Sequence, residues 1–171
     1  MSAEFDHQRR LVAIMFTDIV GFSRLMAEGE ARALRILDRH DAILAEQIAA
    51  QGGKVLKRMG DSIFASFDSA TNAVRCAIAI QQALAAYNNA CLGDERLAVR
   101  IGVHLGDVIE RHGDLFGDGI NVAARLQPLA KPGGVCISSG MSFMSSRRFT
   151  TWPLPNPSRA SFPENSRMFL R

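Results

Sequence analysis

Hydrophobic positions along the chain fall into short continuous runs, which are typical of buried strands, and stripes with helical spacing. The first run covers residues 11–16 and ends at Thr17 and Asp18, so a buried strand would carry Asp18 at its carboxyl end. Residues 52–67 contain two apolar runs on either side of a Met-Gly-Asp turn. This second pattern predicts a β-hairpin that exposes the carboxylate of Asp61 at its tip.

Two long helices are predicted by apolar residues that recur every three or four positions. The first covers about residues 30–50 and the second about residues 69–89. A shorter helix is expected from Ile120 to about Leu129, with Asp118 as its N-cap. The predicted inward stripes are Leu34, Leu37, Leu44 and Ile48 in the first helix and Ala73, Ala77, Ile80 and Leu84 in the second.

Three further strands follow the second long helix. Residues 97–106 are predicted to form one strand, residues 106–110 the strand that returns from it, and residues 135–138 the last. A loop over residues 112–119 and the short helix lie between them. The order strand, helix, strand, strand, helix, strand is that of a split βαβ, ferredoxin-like unit. We therefore expect an α+β fold whose palm-like antiparallel sheet has helices packed on one face.

Length and composition fit one domain. The chain has 171 residues, of which 47% are hydrophobic, enough for one sizeable core but not for two. No run reaches the roughly 18 to 20 apolar residues of a membrane helix, and the first ten residues are too polar for a signal peptide. We expect a cytoplasmic protein with no membrane segment, whose three widely spaced cysteines are reduced thiols.

The positive charge of the chain is concentrated at its carboxyl end. Residues 141–171 hold 5 of the 20 Lys and Arg and 1 of the 17 Asp and Glu, a net +4, which leaves −1 for residues 1–140. Four of the six prolines also lie in that last segment. We predict an N-terminal extension over residues 1–9, a domain over 10–140 and an atypical Pro/Ser/Arg-rich tail over 141–171, with no nucleic-acid partner.

Two carboxylates at the ends of predicted strands are the first candidates for chemistry. Asp18 and Asp61 in a split βαβ sheet suit two divalent cations held over a phosphate, a pair that activates an attacking oxygen and neutralises a leaving one. The alternative is that each aspartate merely suits a turn.

Four motifs favour the chemical interpretation. They are Phe-Thr-Asp-Ile-Val-Gly-Phe-Ser at residues 16–23, Lys-Arg-Met-Gly-Asp at 57–61, Asp-Leu-Phe-Gly at 114–117 and Asn-Val-Ala-Ala-Arg at 121–125. In this order and spacing, they resemble the catalytic domain of class III adenylate and guanylate cyclases, and the resemblance covers about residues 10–139.

The resemblance implies a metal site and a substrate site. Asp18 and Asp61 match the family's metal-binding aspartates, with the backbone carbonyl of Ile19 as a further ligand for two Mg²⁺ or Mn²⁺ ions. Gly21 and Phe22 match substrate-binding positions. The implied reaction converts ATP into 3′,5′-cyclic AMP and pyrophosphate without a covalent enzyme intermediate.

The resemblance also assigns base-reading and catalytic residues. Lys57 and Asp114 match the positions that read the purine, and a donor with an acceptor is complementary to N1 and N6 of adenine, so ATP is expected over GTP. Asn121 matches the residue that orients the ribose, and Arg125 the one that stabilises charge on the α-phosphate. Taken alone, each of these four residues is an ordinary surface side chain.

The family further implies a homodimer, with the metal aspartates of one copy facing the purine readers, Asn and Arg of the other. Members also continue into a final strand pair that carries a phosphate-binding Lys, a pattern that residues 141–171 lack. Two alternatives therefore stay open: a weak or inactive cyclase-like fragment with a regulatory role, and a guanylate cyclase. A diguanylate cyclase is disfavoured because Met-Gly-Asp-Ser at 59–62 replaces its Gly-Gly-Asp/Glu-Glu-Phe turn.

Overall fold

A six-stranded sheet organises the chain, whose computed structural model describes residues 8–91, 95–111, 114–138 and 141. Five strands are hydrogen-bonded in the order β2-β3-β1-β4-β5, and all of these neighbours are antiparallel. The sixth strand pairs parallel to β4. The strands are β1 (Gln8–Ile19), β2 (Lys54–Met59), β3 (Ser62–Phe67), β4 (Val99–Arg111), β5 (Asp114–Phe116) and β6 (Val135–Ile137).

The helices occupy both faces of this sheet. The two long helices pack on one face and enclose the larger core, whereas the short helix α4 packs on the other face over β4 and β1. The α+β, palm-like prediction is confirmed, and its placement of helices on one face holds for the two long ones. The helices are α1 (Phe22–Glu28), α2 (Glu30–Ala50), α3 (Ala70–Ala90) and α4 (Asp118–Leu126), the last followed by a 3₁₀ turn (Gln127–Leu129).

The central strand β1 explains why its sequence is a continuous apolar run. Ala13 and Met15 point into the larger core under α2 and α3, while Val12 and Ile14 point into the smaller core under α4. A strand covered on both faces needs apolar residues at every position, because neither set of side chains meets water.

Strand β4 differs from the sequence prediction, which turned the chain at Gly106. The strand continues to Arg111, and its partner along most of this length is β1. Gly106 serves a close approach rather than a turn, since a Cβ there would lie 3.0 Å from the Cα of Gly119 in α4. The returning strand is instead β5, which lies where a loop was expected.

Two details of the helices also differ. Leu34 is 45% exposed, and the inward residues of α2 are Ala33, Ile36, His40, Leu44 and Ile48. The predicted stripe is thus confirmed at Leu44 and Ile48, and Leu37 is partly buried against the larger core. The prediction is wrong at Leu34 and did not include the polar residue His40. The N-cap of α4 is Gly117, so the predicted capping role of Asp118 is wrong.

None of the helices in the described ranges has the length and hydropathy needed to cross a membrane. Residues 1–7 of the predicted N-terminal extension and residues 142–171 of the predicted tail lie outside the described residues. Gln8 and Arg9 of the predicted extension instead begin β1 and pair with β4. Met141 of the predicted tail is buried in the larger core.

Candidate functional site

The carboxylates of Asp18 and Asp61 come together where β1 ends beside the β2–β3 turn. The turn consists of Gly60, with φ 61°, and Asp61, because Met59 and Ser62 are paired on either side. The backbone amide of Ile19 donates to Asp61 Oδ2 at 3.2 Å. The turn therefore folds back on the end of β1, and Asp61 is half-buried rather than exposed at a tip as the sequence suggested.

Short polar contacts fix β3 against this end of β1. The buried hydroxyl of Thr17 accepts from the amide of Ile63 at 3.2 Å. Ser62 Oγ is 3.5 Å from Asp18 Oδ1, a long hydrogen bond. The backbone pairing of β1 with β3 reaches Thr17 and Ile63, and these side-chain contacts continue it and bring the two aspartates together.

The electrostatics of this end are unfavourable for two ionised carboxylates. Burial and the neighbouring Asp18 carboxylate raise the pKa of Asp61. Arg100 compensates in part, since its Nη2 lies 2.7 Å from Asp18 Oδ2. The Nε of Arg100 is buried and has no hydrogen-bond partner among the described residues.

Sequence reasoning missed Arg100, which lies opposite Asp18 in the β1–β4 pairing although it is 82 positions away along the chain. An arginine at the start of an apolar strand gave no signal of its own. It also missed a stacked aromatic pair, Phe16 and Phe64, whose ring centroids are 4.7 Å apart with planes 4° from parallel. Phe16 lies two residues before Asp18, and Phe64 lies opposite Lys57 in the β2–β3 pairing.

The donor set at this end fits a hard divalent cation. Two carboxylates and the nearby backbone carbonyl of Ile19 are the oxygen donors that Mg²⁺ and Mn²⁺ prefer. A cation would also relieve the repulsion that raises the pKa of Asp61. Within the described ranges no cluster of three or more His, Cys, Asp or Glu side chains exists, so the remaining ligands would come from backbone, water and a phosphate.

Gly21 and Phe22 lie directly after this end of β1. Gly21 has φ 76°, a left-handed conformation that suits glycine, and its carbonyl accepts from the amides of Arg24 and Leu25 at 3.1 Å each. The ring of Phe22 packs against the larger core. The side chain of Phe22 thus has a structural contact, which leaves its backbone as the group available to a substrate.

Lys57 and Asp114 lie on β2 and β5, the two edges of the main sheet path, and both are exposed. Their chain neighbours Leu56 and Leu115 line one cavity of about 230 Å³, but neither Lys57 nor Asp114 is among its lining residues. Asp114 and Leu115 are successive residues of β5, whose side chains point to opposite faces of a strand, so this cavity does not join the two predicted base readers. The pairing of β2 with β3 is interrupted by a bulge between Val55 and Lys57.

Asn121 and Arg125 are exposed on α4, four residues apart and so on one face. The helix that carries them is seated closely on β4. A Cβ at Gly102 would lie 2.4 Å from the backbone nitrogen of Gln127 and 2.8 Å from the carbonyl oxygen of Ala123. Glycine at this position allows α4 to approach the strand and fixes its height above the sheet.

The predicted site residues thus form separate groups within one chain. Asp18, Ile19 and Asp61 are in contact with one another, but no contact described by the structure joins them to Asn121 or Arg125. Large apolar side chains on α4, or close to it along the chain, are exposed: Phe116 at 51%, Val122 at 36% and Leu129 at 67%.

Comparison with known proteins identifies the family of this domain. The sequence profile of the “Adenylate and Guanylate cyclase catalytic domain” matches residues 6–151, a range that includes all of the predicted site residues. A protein of Rhizobium meliloti (strain 1021) named “Putative adenylate cyclase 3” is 47% identical over 135 residues, which are 78% of this chain and 23% of that protein. The chain thus spans less than a quarter of the length of this relative.

Solved structures agree with the sequence match. A structure described as an adenylate/guanylate cyclase/hydrolase from Silicibacter pomeroyi has a TM-score of 0.74 and 38% identity, covering 81% of each chain. The guanylyl cyclase Cya2 has a TM-score of 0.73 and 26% identity, covering 83% of this chain and 81% of that one. The resemblance found in the sequence is confirmed, and the chain belongs to the adenylate and guanylate cyclase catalytic domain family.

Proposed function

We propose that this domain converts ATP into 3′,5′-cyclic AMP and pyrophosphate for intracellular signalling, in sites completed by two copies of the chain. The observation that carries the proposal is the contact region of Asp18 and Asp61 at the ends of β1 and β3, in a member of the cyclase family. Aspartates that serve only turns need no shared burial, whereas burial and like charge raise the pKa of Asp61. We place the reaction in the cytoplasm, where ATP is made and used.

The carboxylates of Asp18 and Asp61 and the carbonyl of Ile19 would hold Mg²⁺ or Mn²⁺, two ions per site. When bound, these ions would activate the ribose 3′-hydroxyl and neutralise charge on the leaving pyrophosphate. The 3′-oxygen forms a bond to the α-phosphorus as the bond to the bridging oxygen of the β-phosphate breaks, and the hydroxyl proton passes to water. Gly21 and Phe22 would face the phosphates with backbone amides.

Arg100 gives the phosphate region a cation of its own. Its Nη2 lies 2.7 Å from Asp18 Oδ2. Once cations bind Asp18, the same guanidinium would be available to pair with phosphate oxygens.

Base selection is assigned to Lys57 and Asp114. Both side chains are exposed, and both positions lie within the range that matches the cyclase catalytic domain. A lysine donor and an aspartate acceptor match N1 and N6 of adenine and are mismatched with guanine. This residue pair favours ATP over the guanylate cyclase alternative, although one structural relative is a guanylyl cyclase.

A second copy of the chain would supply Asn121 and Arg125 to the carboxylates. Asn121 would orient the ribose, and Arg125 would stabilise charge that develops on the α-phosphate. Phe116, Val122 and Leu129 lie on α4 or close to it along the chain and are exposed in one chain. Burial of these side chains against a second copy would explain both their exposure and the separation of the two groups.

Product formation tests the chemistry. Purified protein with Mn²⁺ is expected to make cyclic AMP from ATP and far less cyclic GMP from GTP. Asp61→Ala should lower the rate by about two orders of magnitude or more, while Asp38→Ala, the same change at an exposed position of α2, should not. Full activity in Asp61→Ala would contradict the proposal that Asp61 binds the metal ions. A folded wild type that makes no product would favour the regulatory fragment.

Complementation tests the shared site. Asp61→Ala and Arg125→Ala are each expected to be inactive as homodimers. In a mixed dimer one site combines both defects, while the other has an intact Asp61 from one copy and an intact Arg125 from the other. Mixing the two inactive proteins should therefore restore activity, and a mixture that stays inactive while dimers exchange would contradict the shared site.

A further inference from the structure

A buried histidine on α2 has no role in the site described so far. His40 is fully buried, and its Nδ1 lies 2.9 Å from Asp41 Oδ1. A carboxylate only accepts hydrogen bonds, so Nδ1 carries the proton and donates it. The other ring nitrogen, Nε2, is buried and has no partner among the described residues. A polar ring kept in the core at this cost calls for an explanation.

Asp41 links this histidine to the sheet. Its second oxygen, Oδ2, lies 3.3 Å from the Nε of Arg58 on β2. Asp41 thus has one oxygen on a buried group of α2 and the other on the edge strand, and its side chain is only 28% exposed. The histidine N–H fixes the direction of the carboxylate, because it holds one oxygen from a position that cannot move without disturbing the core.

Arg58 belongs to the hairpin that carries two of the predicted site residues, since it follows Lys57 and precedes the turn at Asp61. Strand β2 is an edge strand whose one pairing partner among the described strands is β3, and that pairing is interrupted by a bulge. The turn itself is held at Asp61 by the amide of Ile19. The Arg58 contact to α2 is therefore a second anchor, on the other side of the hairpin.

We propose that Asp41, oriented by His40, is a positioning residue that fixes this hairpin through Arg58 and thereby sets both metal affinity at Asp61 and purine preference at Lys57. The roles of Lys57 as a purine reader and of Asp61 as a metal ligand in this inference rest on the proposed function. In a shared-site dimer these two residues serve different sites, so one anchor acts on both sites at once.

The test compares Asp41→Asn, Arg58→Gln and the double variant with a matched control. Arg35→Gln removes a similar arginine of α2, whose Nη2 lies 3.6 Å from Glu95, away from the hairpin. Two quantities are measured: Mn²⁺ affinity by electron paramagnetic resonance, without turnover, and the ratio of kcat/KM for ATP over GTP. Each single variant should weaken Mn²⁺ binding and lower the ratio about two- to fivefold, the range expected for a partly exposed ion pair.

The double variant should lose no more Mn²⁺ affinity and no more ATP preference than either single variant, because both substitutions remove the same contact. Arg35→Gln should have the Mn²⁺ affinity and the ATP preference of the wild type. Wild-type values in both single variants, or losses that add in the double variant, would overturn the inference. Hydrogen exchange keeps the test independent of the proposed function. Amides of residues 54–67 should exchange faster in Asp41→Asn than in Arg35→Gln, even in a protein that binds no Mn²⁺. Unchanged exchange there would overturn the anchor itself.

Discussion

Arg100 Nη2 and Asp18 Oδ2 lie 2.7 Å apart across the β1–β4 pairing, so a cation from the sheet holds one of the two carboxylates proposed to bind metal. Both side chains are less than one-third exposed, at 30% and 22%. The contact balances part of the repulsion between Asp18 and Asp61.

Arg100→Gln is expected to destabilise the metal-free protein by about 1–3 kcal/mol, because it leaves a half-buried carboxylate beside a second one without its cation. Added Mn²⁺ should restore more stability to the variant than to the wild type. Chemical denaturation in EDTA and in Mn²⁺ measures both effects. A variant as stable as the wild type in EDTA would show that solvent already screens the pair.

The burial of His40 predicts a dependence of stability on pH. Burial lowers the pKa of His40 below its ordinary value of 6.5, despite the opposing effect of Asp41. Below pH 6.5 the unfolded chain therefore binds a proton that the folded chain does not. Stability should fall as pH drops from 7.5 to 5.5, by up to about 1.4 kcal/mol over the whole window and mostly below pH 6.5.

Urea denaturation in EDTA at pH 7.5, 6.5 and 5.5 measures this slope. His40→Asn removes the titrating ring and should flatten the slope. Some slope should remain, because burial also lowers the pKa of His104. If the stability of His40→Asn changes with pH as steeply as that of the wild type, the pH dependence comes from other groups.

Because α4 packs closely on β4, one added methyl group at Gly102 is expected to reduce both stability and activity. Gly102→Ala would place a Cβ 2.4 Å from the Gln127 nitrogen, which forces α4 away from β4. We expect a loss of about 1–3 kcal/mol, as for overpacked cores, together with a larger fractional loss of kcat as Asn121 and Arg125 move. Gly29→Ala is the control, since its Cβ would meet an atom only at 3.9 Å. A wild-type kcat in Gly102→Ala would show that activity does not depend on the close packing of α4 on β4.

The apolar surface near α4 predicts a self-association surface. Leu129→Glu places a charge at a leucine that is 67% exposed and should shift sedimentation from dimer to monomer and lower activity with it. Leu34→Glu makes the same change at a leucine of α2 that is 45% exposed and should leave the dimer intact. Equal behaviour of the two variants would place the interface elsewhere.

The sequence predicted those elements whose patterns are decided locally. Strand β1 and the two long helices follow from apolar runs and helical periods, because burial on both faces or on one stripe leaves a direct mark on composition. The sequence predicted strands over the residues of β4 but wrongly turned the chain at Gly106, because a glycine at a turn and a glycine under a packed helix look alike. Only the approach of α4 to Gly106 separates the two cases.

In the site, too, the residues with a local sequence signal were predicted and those that depend on distant segments were not. Asp18 and Asp61 were predicted because each lies at an element end with a recognisable motif. Arg100 and the Phe16–Phe64 stack were not, since they join the site through strand register between distant segments. His40 was missed because a buried polar residue interrupts the apolar stripe that helix prediction reads.

The central position of β1 also implies that different parts of the site lose their structure at different temperatures. Asp18 ends a strand that is hydrogen-bonded on both sides, whereas Lys57 and Asp114 lie on edge strands that have one neighbour each in the main path of the sheet. Edge strands fray before central ones as temperature rises. In the proposed reaction, discrimination between ATP and GTP should therefore fade at temperatures where β1 still holds Asp18 in place, so warming would weaken base selection before it displaces this carboxylate.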